Sequence, residues 1–404
     1  MARATVLVLG TLDTKGEEHA FLAERLRGAG VAVLVADTGT GGPPHGLEPD
    51  IPAAEVAAAG GVDLAGLTDR GEAVGAMAGA AAALVRRLYE EGRIQGVLSA
   101  GGSGNTAIAT AAMQALPVGV PKLMVSTMAA GDTRDYVGGS DVTLMASVTD
   151  VAGVNSISAR ILANAAAAMA GMVSAPPVEV AGGRPLIGAT MFGVTTPCVT
   201  RAREALEARG YEVLVFHATG TGGRAMEALV DGGFLAGVLD ATTTELCDDL
   251  VGGVLSAGPE RLEAAGRAGL PQVVSVGALD MVNFGARDTV PPQFEDRTLY
   301  VHNPSITLMR TTAEESAELG RRIARKLSAA TGPVALFVPL AGVSMIDAEG
   351  QPFHDPEADA ALFAALREGV GDNVELVEMD CNVNDPEFAD AMAAKLGSYV
   401  EAAA

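Results

Sequence analysis

Short runs rich in Val and Leu alternate along this chain with alanine-rich amphipathic stretches. That alternation is the pattern of parallel strands buried on both faces beneath helices. Strands are predicted at 5–10, 31–36, 94–100, 121–126, 186–191, 211–216, 235–240, 271–275 and 334–338. An acidic segment over 374–380 is expected to add one more strand before a final helix from Pro386.

The pattern occurs twice with the same punctuation. Thr5-Val-Leu-Val-Leu-Gly-Thr-Leu-Asp-Thr-Lys-Gly16, a helical stretch from Glu17 to Ala29, and Val31-Ala-Val-Leu-Val-Ala-Asp-Thr-Gly-Thr-Gly-Gly42 form the first copy. Pro185-Leu-Ile-Gly-Ala-Thr-Met-Phe-Gly-Val-Thr-Thr196, a helical stretch from Pro197 to Arg209, and Tyr211-Glu-Val-Leu-Val-Phe-His-Ala-Thr-Gly-Thr-Gly-Gly223 form the second. Further on, Gly96-Val-Leu-Ser-Ala100 matches Gly237-Val-Leu-Asp-Ala241, and the segment from Val120 matches that from Leu270. Matches sustained over this length indicate an internal duplication. The expected fold is therefore α/β: two Rossmann-like, doubly wound domains with mainly parallel sheets, spanning 1–176 and 184–404. A long helix from Val151 to Val173 is expected to close the first, and Ser174 to Gly183 reads as a linker.

Composition narrows the setting. The 404 residues are 49% hydrophobic, enough for two large cores, yet no stretch approaches the ~20 unbroken apolar residues that span a bilayer. Ala76 to Val85 and Ala163 to Val173 read as buried helices, and a strand within five residues of the start leaves no room for a signal peptide. A soluble, cytoplasmic protein is expected, with no membrane partner. A net charge of −23, from 27 basic and 50 acidic side chains, argues against nucleic acid as a partner. Three widely spaced cysteines, Cys198, Cys247 and Cys381, read as reduced thiols rather than a metal set. Cys198 lies where a helix begins, a setting that lowers a thiol pKa, but no base is paired with it.

In open parallel sheets, ligands bind beyond the carboxyl ends of the strands, and the loops rich in Gly, Thr and Asp all follow predicted strands. The strongest of them is Ser99-Ala-Gly-Gly-Ser-Gly-Asn-Thr106, between a strand and an alanine-rich helix. Gly101, Gly102 and Gly104 let backbone approach a phosphate, while Ser103, Asn105, Thr106 and the helix N–H groups offer donors. Without a Gly-Lys-Ser/Thr ending the loop is no Walker motif, and a packing role for its glycines is the alternative. Thr11, Thr14 and Lys15 are expected on the same edge, with Asp13 placed for Mg²⁺ or water. Asp37 is either a ribose ligand or a turn cap, and the loop from Ser126 to Thr133, through Thr127, can complete the pocket. Only four lysines occur. Lys15 is a candidate anion ligand or a surface charge, and Lys122 is read as a surface charge.

The second half lacks both the glycine loop and the lysine, since Ala241-Thr-Thr-Thr-Glu-Leu246 follows the matching strand. His217, Asp240, Glu245, Asp280, Asn283 and His302 fall at or near predicted strand ends, where a histidine beside carboxylates can act as a general base or a ligand. Arg310 and the threonines after it can clamp a carboxylate or phosphate, although Thr312 itself, ahead of Glu314 and Glu315, reads as a helix cap. Phe353 to Ala360 is expected to cap a helix.

The motifs from Gly10 to Glu18, Gly101 to Thr106, Pro121 to Met128, Gly188 to Cys198 and Phe216 to Glu227 together resemble one family over nearly the whole chain. It is a bacterial family related to the ATP-binding N-terminal domain of a plant tobamovirus-resistance protein. The resemblance implies two α/β subdomains, ATP bound by the loops around Thr11–Lys15 and Gly101–Thr106, and a homodimer. It also leads one to expect a third glycine where Asn105 stands, asparagine being tolerant of a left-handed backbone. Two function classes follow. One is an ATP-binding module, with or without Mg²⁺, that regulates or binds a partner. The other is an enzyme acting on a phosphorylated or carboxylate metabolite between the halves, with His217, Glu245 and His302 as its chemistry. A dinucleotide oxidoreductase fits less well, because no Gly-x-Gly-x-x-Gly follows the first strand.

Overall fold

A computed structural model describes residues 3–67, 69–176 and 183–403. The chain divides into two compact units, 1–179 and 180–404. Of the predicted linker, residues 177–182 lie outside the described residues.

In the first unit the order is β1 (Thr5–Gly10), α1 (Leu12–Gly28), β2 (Ala32–Asp37), α2 (Ala53–Ala59), α3 (Arg70–Glu90), β3 (Gly96–Gly101), α4 (Ser103–Gln114), β4 (Lys122–Ser126), α5 (Arg134–Val137), β5 (Thr143–Ala146) and α6 (Ser158–Ser174). The strands form one wholly parallel sheet in the order β2-β1-β3-β4-β5. Successive side chains point to opposite faces, so β1 serves two cores at once. Val6 and Val8 pack with Leu22, Leu26, Leu162 and Met169 of α1 and α6. Leu7 and Leu9 pack with Met77, Leu84, Ile108 and Met113 of α3 and α4. Winding reverses between β1 and β3, and in such sheets the crevice at the reversal is where ligands bind.

The second unit runs β6 (Leu186–Met191), α7 (Thr196–Ala208), β7 (Glu212–His217), α8 (Thr221–Asp231), β8 (Gly237–Thr242), α9 (Glu245–Val251), α10 (Ala264–Arg267), β9 (Gln272–Gly277), β10 (Met281–Phe284), β11 (Leu299–Asn303), β12 (Ile306–Arg310), α11 (Ala313–Ser328), β13 (Val334–Pro339), α12 (Pro356–Gly369), β14 (Val374–Met379) and α13 (Pro386–Ala403). Its six-stranded parallel sheet has the order β14-β13-β9-β8-β6-β7. Read from the first strand of each unit, both sheets wind second-first-third-fourth, as a duplication requires.

Four details depart from the expectations. Helix α1 begins at Leu12, five residues early, because the chain turns straight from strand into helix and absorbs the bend in a kink at Lys15 (φ −127°, ψ 25°). Helix α6 begins at Ser158 rather than Val151, since the Asn155 side chain accepts from the Ile157 and Ser158 N–H groups and starts the helix there. The edge strand β5 and the antiparallel meander β10-β12-β11 were not anticipated in full; their four- and five-residue strands carry too few positions for a period to show. Lys122 is 1% exposed, its ammonium bonding to Asp141 and the Pro117 carbonyl, so it is no surface charge; burial pulls its pKa down.

Candidate functional site

At the reversal point of the first sheet, two strand-to-helix turns face each other across a cavity of about 510 Å3. One turn leaves β1 and supplies Thr11, Asp13, Thr14 and Lys15; the other leaves β3 and supplies Gly102, Ser103, Gly104 and Asn105. The expected loops are thus brought together. The volume lies within the range of small-molecule sites, about 300–1,000 Å3.

The glycines of the second turn have different physical reasons. A Cβ on Gly101 would stand 2.8 Å from Asn105 Cβ, so Gly101 is a packing glycine. On Gly102 it would meet nothing nearer than Thr127 Oγ1 at 3.9 Å, and on Gly104 nothing nearer than Val74 Cγ2 at 4.0 Å. Packing does not demand glycine at these two; they keep the cavity floor bare. Gly102 is the N-cap of α4 and provides no side-chain cap. The helix begins its own bonding only at Thr106 N–H, which donates to the Gly102 carbonyl at 2.9 Å. The N–H groups before it, and the positive end of the helix dipole, are presented to the cavity.

Most of the expected polar side chains also make hydrogen bonds within the fold. Thr106 Oγ1 donates to the Gly102 carbonyl at 2.8 Å and lies 2.7 Å from Ser126 Oγ. Asn105 Nδ2 donates to Ser99 Oγ and the Ala100 carbonyl, and its φ is not positive, so the left-handed backbone expected of it is not used; it belongs to the first turn of α4. Asp37 Oδ1 accepts from Leu12 N–H at 3.0 Å and Gly39 N–H at 2.8 Å, the turn-and-cap role, and burial raises its pKa. Thr127 is exposed beyond β4, its N–H donating to the Gly101 carbonyl. Asp13 Oδ2 accepts from Gly41 N–H at 2.8 Å, while Oδ1 is buried without a partner. Asp13, on the cavity wall, thus keeps one carboxylate oxygen unsatisfied. The Lys15 ammonium donates to the Val151 carbonyl, anchoring the loop ahead of α6.

Sequence reasoning missed the other walls of this cavity. Arg70, the first residue of α3, lines it beside Asp69, whose carboxylate caps that helix from Glu72 N–H at 2.9 Å. A cation at a helix start opposes the dipole, and that mismatch was the available signal. Thr40 and Gly41, from the Thr-Gly-Thr-Gly-Gly motif, form another wall. Leu67, Ala73, Val74 and Ile108 make the apolar side. Also unanticipated is His19, buried against Gly10 so closely that a Cβ there would lie 2.0 Å from its Nε2; burial lowers its pKa.

In the second unit, His217 is exposed at the end of the edge strand β7, and His302 is exposed on β11. Glu245 is fully buried: Oε1 accepts from Gly220 N–H at 2.6 Å and Gly223 N–H at 3.1 Å, and Oε2 from Arg261 Nε at 2.6 Å. Among the described residues no hydrogen bond or ion pair joins these three, so the expected trio is not assembled. Arg310 is also buried, bonding to Asp359 at 2.6 Å and the Phe353 carbonyl at 2.7 Å, which leaves no free clamp. Thr312 caps α11 with Glu315, and Asp355 caps α12, as the sequence predicts. Cys198 is 1% exposed and burial pushes its thiol up to about 12, which removes it as a nucleophile. A cavity of about 590 Å3 beside α11 is lined by charges that neutralise one another, Arg322 with Asp249 and Lys326 with Glu263.

Two family models cover the chain: the N-terminal domain of the uncharacterised protein family UPF0261 over residues 4–177, and its C-terminal domain over 184–400. The chain belongs to the UPF0261 family. A UPF0261 protein of Clostridium tetani is 55% identical over 98% of this chain and 99% of its own length. The tomato ToMV resistance protein Tm-1(GCR237) is 41% identical over 96% of this chain, which spans 54% of the tomato protein. Among solved structures, a UDP-N-acetylglucosamine 2-epimerase aligns over 92% of each chain, at 12% identity and a TM-score of 0.26, too low to imply a shared site. Among the described residues of this UPF0261 member, no helix is long and apolar enough to cross a membrane.

Proposed function

We propose that the first unit binds a nucleotide, ATP being the one the family resemblance implies, with its phosphates over the N-terminus of α4. The observation that carries this reading is the pair Gly102 and Gly104, whose missing side chains are required by no neighbour and leave an uncapped helix start open to the cavity. Backbone N–H groups at a helix start favour phosphate, and glycine permits its close approach. Thr11, Thr14 and Ser103 add hydroxyls, Arg70 adds a guanidinium, and the wall of Leu67, Val74 and Ile108 suits a base. The protein then acts as a binding or regulatory module, functioning as a homodimer.

Calorimetry with ATP, ADP, AMP and GTP, with and without Mg²⁺, tests the reading on the wild type and on Gly102→Val. Saturable ATP binding that the variant loses is expected. A wild type that binds none of the four sinks it. Light scattering of the same preparation checks the dimer.

A further inference from the structure

The two halves answer one another position by position at the turn after their third strand. Counting from the matched alanines, Ala100 and Ala241, Gly104 of the first half corresponds to Glu245 of the second. Both stand at the start of a helix, α4 or α9. At Gly104 the space beyond the backbone is the cavity. At Glu245 a carboxylate projects instead and is wholly enclosed.

Its surroundings are those of a bound anion. Gly220 and Gly223, whose N–H groups reach Oε1 at 2.6 and 3.1 Å, flank the start of α8 and belong to Thr219-Gly-Thr-Gly-Gly223. The same motif in the first half supplies Thr40 and Gly41 to the cavity wall. Arg261, 1% exposed, closes the pocket with Nε on Oε2. Two peptide N–H groups at a helix start and one guanidinium N–H are a donor set for a free carboxylate. Arg261 does not depend on Glu245 for a partner, since Nη1 and Nη2 donate to Asp240 at 2.5 and 2.7 Å. The task left to Glu245 is to satisfy the glycine loop. Gly223 confirms how closely the loop is fitted, because a Cβ there would stand 2.2 Å from Oε2.

We propose that Glu245 is a resident anion: the second half retains an anion pocket, built by Gly220, Gly223 and Arg261, that its own side chain keeps filled. Glu245→Gly leaves those donors buried and bare, and a small carboxylate of the size of formate or acetate takes their place. The second half has not lost its anion site but has internalised the ligand.

The test is thermal unfolding of the full-length Glu245→Gly variant titrated with sodium formate, against sodium chloride at equal ionic strength, beside wild type and Glu245→Gln. A ligand bound only by the folded state raises the melting temperature with the logarithm of its concentration. The expected result is a lowered melting temperature in Glu245→Gly that formate restores and chloride does not. Glu245→Gln, whose amide fills the same volume, should be destabilised yet show no formate response. If Glu245→Gly is unfolded in chloride, formate should refold it, read by far-ultraviolet circular dichroism. A folded variant that responds to formate no more than the wild type overturns the proposal, as does equal rescue of Glu245→Gln or an unfolded Glu245→Gly that formate cannot refold. None of these readouts depends on nucleotide binding in the first half.

Discussion

Arg261 Nε donates to Glu245 Oε2 at 2.6 Å, and neither side chain is open to solvent. The same guanidinium meets Asp240 and Glu227, so one cation stands among three carboxylates. Removing one partner of a buried ion pair leaves uncompensated charge, at a cost of about 3–5 kcal/mol. Arg261→Met should lower the urea midpoint by a corresponding amount, with the slope of the transition unchanged. A midpoint within experimental error of the wild type would show that the cluster does not hold the second unit together.

Gly104 and Gly101 should respond in opposite ways to the same substitution. Gly104 lies in the first turn of α4 with open space beside it, so Gly104→Ala gains helix propensity, up to about 1 kcal/mol, while its methyl intrudes on the cavity. Stability should rise as ATP affinity falls, by tenfold or more, about 1.4 kcal/mol. Gly101→Ala presses on Asn105 Cβ at 2.8 Å and should lose about 1–3 kcal/mol of stability. Paired denaturation and calorimetry read both, and parallel effects in the two variants would contradict the assignment.

Arg70 and Lys15 both line the cavity but do different work. The Arg70 side chain has the cavity before it, so Arg70→Ala should weaken ATP by about 1.5–3 kcal/mol, the worth of a hydrogen bond to a charged group, with a shallower salt dependence. The Lys15 ammonium holds the Val151 carbonyl, so Lys15→Ala should speed proteolysis within 147–157, ATP or no ATP. Binding loss confined to Lys15→Ala would reverse the two roles.

Asp280 supplies a pH prediction. Burial, reinforced by the charge of Asp347, pushes its carboxyl up to about 8. A carboxyl raised in the folded state contributes stability that is complete below its unfolded pKa, near 3.8, and is lost as pH rises through the folded value. Asp280→Asn keeps an oxygen for Ser344 Oγ, 2.7 Å away, and removes the charge. The variant should therefore gain on the wild type as pH climbs from about 4 to 8, by at most about 1.4 kcal/mol per pH unit. Urea melts at several pH values check this, and a constant offset across the range would refute it.

The strands were legible because a strand buried on both faces must be apolar at every position, as Val6 to Leu9 and Val334 to Val338 are. Caps were legible because they close over three residues: Thr312 with Glu315, Asp355 with Ala358. The fates of individual polar groups were not. Thr106 read as a phosphate donor until Ser126, twenty residues on, came within 2.7 Å. Lys122 read as a surface charge until Asp141 closed over it.

Alone, the sequence determined the duplication, the two parallel sheets and the edge on which the glycine turns gather, since periodicity and punctuation are local properties. Tertiary structure alone decided which polar residues face an opening. Arg70 reaches the cavity from a position more than thirty residues before the glycine turn, and Glu245 is sealed because Arg261 and the Gly220 loop fold over it. A side chain's availability depends on what lies across the sheet from it. That partner is set by strand order and winding, not by neighbours along the chain.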